Sequence, residues 1–114
     1  MANTYKNAAS SLTGATGPGN ATTLYTCPSS TTAIINDIII ANRGHSTQSV
    51  TAYLTDNSTS NDRYLISGVS VPMSSNFSPL PGSLVLEQND SINFYLGASN
   101  VSGVDIVASV LEIT

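Results

Sequence analysis

Thr31-Thr-Ala-Ile-Ile-Asn-Asp-Ile-Ile-Ile-Ala41 is the stretch that decides how this chain folds. Five of its eleven residues are isoleucine, whose branched Cβ is stiff at χ1 and suits an extended backbone better than a helix. The apolar positions follow no 3.6-residue period, and Asn42-Arg-Gly44 closes the run with turn-forming residues. The stretch predicts a strand over residues 32–42. Its two faces are both apolar: Ile34, Ile38 and Ile40 on one, Ile35, Ile39 and Ala41 on the other. A strand with one solvated face needs only one such set. The second set is explained by a bulge that reorients half of the strand, by cover from another segment, or by contact with another subunit.

Outward from this stretch, strand signals alternate with turn signals along the rest of the chain. Strands are predicted over 22–27, 49–55, 63–67, 69–73, 83–87, 91–96 and 104–113, separated by Pro-, Gly- and Asn-rich turns, with residues 77–82 as an extended connection. The segments are spaced about 8–12 residues apart with no helical pattern, which points to an all-β antiparallel β-sandwich, jelly-roll or Ig-like. Ile92, Phe94 and Leu96 alternate with Asn93 and Tyr95, the mark of a half-buried strand. The predicted core holds Leu24, Ile34, Ile38, Ile40, Val50, Leu54, Ile66, Leu84, Leu86, Ile92, Phe94, Ile106 and Val110. The last strand repeats the two-faced pattern, with Ile106, Ala108 and Val110 against Val107, Leu111 and Ile113.

Residues 1–21 read as an N-terminal extended arm ahead of a sandwich domain at 22–114. Tyr5 and Leu12 are its large apolar anchors, and the breakers Gly14, Gly17, Pro18 and Gly19 separate it from the sandwich. Such a segment gains order by pairing with a sheet edge, of its own subunit or a neighbour. The candidate interface residues are therefore Tyr5, Leu12, Ile35, Ile39, Val107 and Leu111.

Composition narrows the function. The chain has 114 residues with only 3 basic and 7 acidic ones, a net charge of −4. Three scattered cations, Lys6, Arg43 and Arg63, make no phosphate-binding patch, so no nucleic-acid partner is expected. No apolar run approaches the roughly 20 residues that span a bilayer, and the polar start Met1-Ala-Asn-Thr-Tyr-Lys-Asn7 lacks a secretory core, so synthesis in a cytoplasm and no membrane partner are expected. The single Cys27 rules out an internal disulfide framework. A surface of hydroxyls and amides docks on protein cheaply, because few ions must be desolvated.

Residues with reactive side chains are sparse. Cys27 reads as a small apolar residue closing a strand before Pro28, and His45 as an exposed loop residue; neither has a partner set for nucleophilic chemistry. Asp56-Asn-Ser-Thr-Ser-Asn-Asp62 is rich in oxygen but reads as a hairpin loop capped by its own side chains, and Asp37 as a solvated strand residue. Asn-X-Ser/Thr triplets at Asn20, Asn57, Asn76, Asn89 and Asn100 reflect the abundance of these residues. No catalytic residue, metal ligand or cofactor is expected. Tyr25, Tyr53, Tyr64 and Tyr95 would form a saccharide platform if several shared a face, although strand tyrosines commonly pack across strands.

The run Thr23-Leu-Tyr-Thr-Cys-Pro-Ser-Ser-Thr-Thr-Ala-Ile-Ile-Asn-Asp-Ile-Ile-Ile-Ala-Asn42 resembles a pattern in small virion structural proteins of tailed bacteriophages, notably cyanophages: Leu-Tyr-Thr-x-Pro, a small turn, Thr-Ala-Ile, then Ile-x-(Val/Ile)-Ala-Asn. Leu84-Val-Leu-Glu87, Asp90-Ser-Ile92, Ser109-Val-Leu-Glu-Ile113 and the first seven residues are similar as well, while Cys27 stands where the pattern has an apolar residue. The resemblance implies a β-sandwich component of the virion with no catalytic residues. The function expected from it is a capsid decoration (cement) protein on the outside of the head, bound to the major capsid protein or other virion proteins as a homo-oligomer, with a trimer favoured. The alternatives are a tail, neck or fibre-attachment component and, from another class, a carbohydrate-binding adhesion module.

Overall fold

The computed structural model describes residues 2–12, 21–44, 47–80, 82–97 and 103–114. Among these described residues nine strands follow in chain order: β1 (Asn3–Leu12), β2 (Thr22–Thr26), β3 (Thr32–Asn42), β4 (Gln48–Asp56), β5 (Asn61–Val71), β6 (Ser75–Phe77), β7 (Leu84–Leu86), β8 (Ser91–Leu96) and β9 (Val104–Ile113). They form two antiparallel sheets, a first of order β1-β9-β3-β6 with β7 also on β3, and a second of order β2-β8-β4-β5.

The topology is one long hairpin rolled on itself. Its tip lies between β4 and β5, and its paired arms are β4 with β5, β3 with β6 and β7, β2 with β8, and β1 with β9. Rolling adds the contacts β3–β9 and β4–β8 and closes two sheets over one core. This is the jelly-roll order, so of the two sandwich types consistent with the sequence the roll is the one adopted. Residues 63–67 and 69–73, predicted as separate strands, lie mostly within one strand, β5, which passes through Gly68 at φ +63°. The first twelve residues, predicted as an arm, contain β1, which keeps one register with β9 from Asn3↔Ile113 to Leu12↔Val104.

Phe94, Leu96 and Ile92 of β8 pack with Ile35, Ile38, Ile40, Ile106, Val110 and Leu86 of the facing sheet, all with essentially no exposure. Removing a large apolar side chain from water contributes about 1.5–3 kcal/mol, so this layer is the main source of stability.

β3 departs from the predicted faces. Its register against β9 slips between Ile35 and Asp37, because Ile35 faces Val110 while Asp37 faces the very next residue, Ser109. Asn36 is the extra residue of a β-bulge, and the bulge reverses side-chain parity along the strand. Ala33 and Ile35 point inward before it, and Ile38 and Ile40 after it. Ile35, expected at an interface, is therefore a core residue, and Ile34, expected in the core, lies half-buried on the outer face. Leu24, Leu54, Ile66 and Leu84 are half-buried and pack on the rim of the core. Tyr25, Cys27, Ala33, Ala52, Val71, Leu96, Val104 and Ala108 complete it beyond the predicted set.

Candidate assembly surface

The outer face of the first sheet is built in cross-strand rows. Tyr5 of β1 faces Leu111 of β9, Leu111 faces Ile34 of β3, and Ile34 faces Val85 of β7. Two steps along, Ala9 faces Val107 and Val107 faces Ile39. Between these apolar rows runs a polar one, Asn7–Ser109–Asp37, and beyond them Ser11–Asp105–Ala41–Asn76. Tyr5 is 77% exposed, Val85 55%, Val107 45% and Ile39 43%, so large apolar surface stays in water. Neighbouring exposed apolar side chains on one face are the usual mark of a protein-binding surface.

Charge at this surface consists of exposed Asp37 in the middle polar row and the Arg43–Asp105 pair at the margin. Arg43 Nε donates to Asp105 Oδ2 at 2.8 Å, and Ser11 Oγ donates to Asp105 Oδ1 at 2.6 Å. Arg43, and secondarily Ser11, hold the Asp105 carboxyl below the ordinary carboxylate range. On the inward side of β9, Glu112 accepts from the Tyr25 hydroxyl and pairs with Lys6 Nζ at 3.5 Å. Burial, and then the Glu112 carboxylate, push the Tyr25 phenol up. This trio joins β1 and β9 of the first sheet to β2 of the second.

Of the six interface residues named from sequence, Tyr5, Ile39, Val107 and Leu111 are brought together on this face. Ile35 is not among them because of the bulge, and the side chain of Leu12 lies outside the described residues. Ile34 and Val85 belong to the face and were missed. Val85 was legible by parity, between Leu84 and Leu86 that both turn inward; Ile34 was not, since the two-faced apolar pattern allows a bulge without fixing its position.

The outer face of the second sheet has a different chemistry. Tyr53 stacks on Tyr64 with ring centroids 5.3 Å apart and approaches Tyr95 at 6.3 Å. Tyr25, the fourth tyrosine considered, is in the core cluster. The polar groups beside the rings engage one another: Thr23 Oγ1 donates to Asn93 Oδ1 at 2.6 Å, and Asn93 Nδ2 donates to Thr55 Oγ1 at 3.0 Å and to Ser91 Oγ at 3.2 Å. The cluster holds four strands in register, and its hydrogen-bonding capacity is largely spent internally.

Asp56, Glu87 and Asp90 bring carboxylate oxygens within 4.8 Å of one another at one end of the roll, the grouping among the described residues that is suited to a cation. Two of them already serve the backbone. Buried Asp90 accepts from Asn57 N–H at 2.9 Å and Glu87 N–H at 3.0 Å, while its own carbonyl accepts from Cys27 N–H at 2.8 Å. Asp56 accepts from Ser58 N–H at 3.1 Å and Ser58 Oγ at 2.8 Å, which lowers its carboxyl. Asp90 thus ties three loops. Cys27 is fully buried, its Sγ 3.3 Å from the Thr31 carbonyl, and burial pushes its thiol up, the opposite of what a nucleophile needs. Asp37 is exposed and accepts from the Ile38 N–H. His45 and Ser46 lie outside the described residues.

No family model and no curated protein matches the chain. Solved structures do. The acid-stable capsid structure of Helicobacter pylori bacteriophage KHP30 aligns at TM-score 0.61 with 16% identity, over 99% of this chain and 92% of that one. A Bacillus endospore appendage protein from a family of disulfide-linked pili aligns at 0.56 with 11% identity, over 98% and 88%. T=1 particles derived from infectious bursal virus align at 0.58 with 10% identity, over 96% of this chain and 31% of that one. At these identities the likeness is one of fold: this chain shares its rolled sandwich with proteins of viral shells and of a pilus.

Proposed function

We propose that this protein is a structural component of a tailed-phage virion, and in particular a decoration protein that docks on the outside of the head and stabilises it. The observation that carries the reading is the outer face of the first sheet, where Tyr5–Leu111–Ile34–Val85 and Ala9–Val107–Ile39 form two apolar rows on either side of a polar one whose single charge is Asp37. A chain with 10 charged residues in 114 desolvates such a face at low electrostatic cost. The rolled sandwich that it shares with capsid and pilus proteins, and the resemblance of its strand and turn residues to small phage virion proteins, support the same reading. The mechanism is mass action: a protein that binds only the assembled shell stabilises that shell, and a repeating lattice multiplies weak contacts.

Ile39→Lys is the test. The side chain is already 43% exposed, so folding should tolerate the ammonium, while particle incorporation should fall at least about tenfold. Unchanged incorporation would remove this face from the docking surface. Quantitative mass spectrometry of particles separates head from tail: hundreds of copies mark decoration, and a few to a few dozen mark a tail, neck or fibre-attachment part. The saccharide reading rests on the Tyr53–Tyr64–Tyr95 cluster and would gain only from glycan-array binding that Tyr64→Ala abolishes.

A further inference from the structure

Among the described residues, β1 ends the first sheet and its backbone is hydrogen-bonded on one side only. Ala2 and Thr114 exchange both backbone bonds, at 3.1 and 2.9 Å. From there β1 and β9 run without a register slip, and hydrogen-bonded pairs alternate with non-bonded ones along an antiparallel ladder. Thr4, Lys6, Ala8, Ser10 and Leu12 therefore turn their N–H and C=O toward β9. Asn3, Tyr5, Asn7, Ala9 and Ser11 turn theirs to the open edge.

Edge strands are normally blunted by bulges, prolines, outward charge or brevity. The second sheet follows this practice, since β2 and β5 both carry slips. So does the other side of the first sheet, where β6 and β7 are three residues each. β1 has ten residues, no slip and no proline, and its one charge, Lys6, is engaged by Glu112 of the same chain.

We propose that β1 pairs antiparallel with β1 of a second copy of this chain, about a two-fold axis at Asn7, joining two first sheets into one continuous sheet. The strand is complementary to itself in this register. Asn3 falls opposite Ser11 of the other copy, Tyr5 opposite its Ala9, and Asn7 opposite its Asn7. All five edge-facing residues then meet edge-facing residues, giving about ten backbone bonds. Lys6 falls opposite Ala8, so no like charges are opposed. Because Tyr5 meets Ala9, the apolar row Tyr5–Leu111–Ile34–Val85 of one copy runs into the row Ala9–Val107–Ile39 of the other, and the polar row through Asn7 meets itself. This gives the oligomer a two-fold contact in place of the trimer favoured from sequence, and it does not depend on the virion reading.

Sedimentation of the purified full chain tests it. Wild type should form a species of twice 11.8 kDa within the micromolar range. Asn7→Pro removes an N–H that β9 does not use, a position where an edge strand tolerates proline, so it should keep the fold and weaken association at least about tenfold. Asn7→Cys should form a disulfide-linked dimer on mild oxidation, because the facing Cα atoms would lie about 5.5 Å apart, within disulfide range. Cys27 is too buried to compete. Amide exchange reads the same contact independently of Asn7→Pro folding: odd-numbered β1 amides should be protected only at concentrations where the dimer forms. A wild type that sediments at 11.8 kDa throughout overturns the proposal, even if a strand of another protein takes the edge. So does an oligomer of any order that withstands Asn7→Pro and yields no linked dimer of the Asn7→Cys variant.

Discussion

Ile35 and Ile39 stand on the same strand, four residues apart, with the same parity in the sequence and opposite environments in the structure. Truncating each to alanine tests the bulge between them. Ile35 is 1% exposed and faces Val110 and Leu84 across the strands. Ile35→Ala loses about three carbons at roughly 0.8 kcal/mol each, plus a cavity term, for a cost near 3–4 kcal/mol. Ile39 is 43% exposed on the outer face, and its truncation leaves no closed cavity. Its cost is about 1 kcal/mol, from partial burial and lower strand propensity. Urea unfolding followed by circular dichroism gives both values, with an unchanged m showing that compactness is preserved. For a domain of this size about 4 °C accompanies each kcal/mol, so thermal midpoints should drop by roughly 12–16 °C and 4 °C. Equal losses, or a larger loss at Ile39, would place Ile39 in the core and refute the register slip at Asn36.

Asp90→Ala strips the acceptor from two backbone N–H groups and should cost about 2–4 kcal/mol, with Asp90→Asn cheaper because one acceptor oxygen remains; a neutral Asp90→Ala would dissolve the three-loop tie. Gly103 sits at φ +93°, where an added Cβ would come within 3.0 Å of the Gly44 backbone, so Gly103→Ala should lose about 1–3 kcal/mol in the same unfolding assay. Because the phenol of Tyr25 is raised in the fold, its contribution is fully present below about pH 10 and is lost as pH rises beyond it, where the unfolded chain ionises first. Unfolding midpoints from pH 9 to 12 should therefore fall less steeply for Tyr25→Phe than for wild type, and parallel curves would contradict the raised phenol.

The all-β character of the described residues, most of the strands and the anchor residues Ile38, Ile40, Ile92, Phe94, Ile106 and Val110 were legible because period-2 alternation and turn chemistry are local properties, whereas β6 was missed and β5 was read as two strands. So was the second apolar face of β9, which needs only parity to place Val107 and Leu111 together. The jelly-roll order was not, since it depends on which strands meet after about a hundred residues of chain are rolled up, as β1 and β9 do. Nor was the inversion at Asn36, because a bulge is a relation between two strands. One extra residue there sends Ile35 inward and Ile34 outward, and with that single step tertiary pairing decides which isoleucines are core and which are surface.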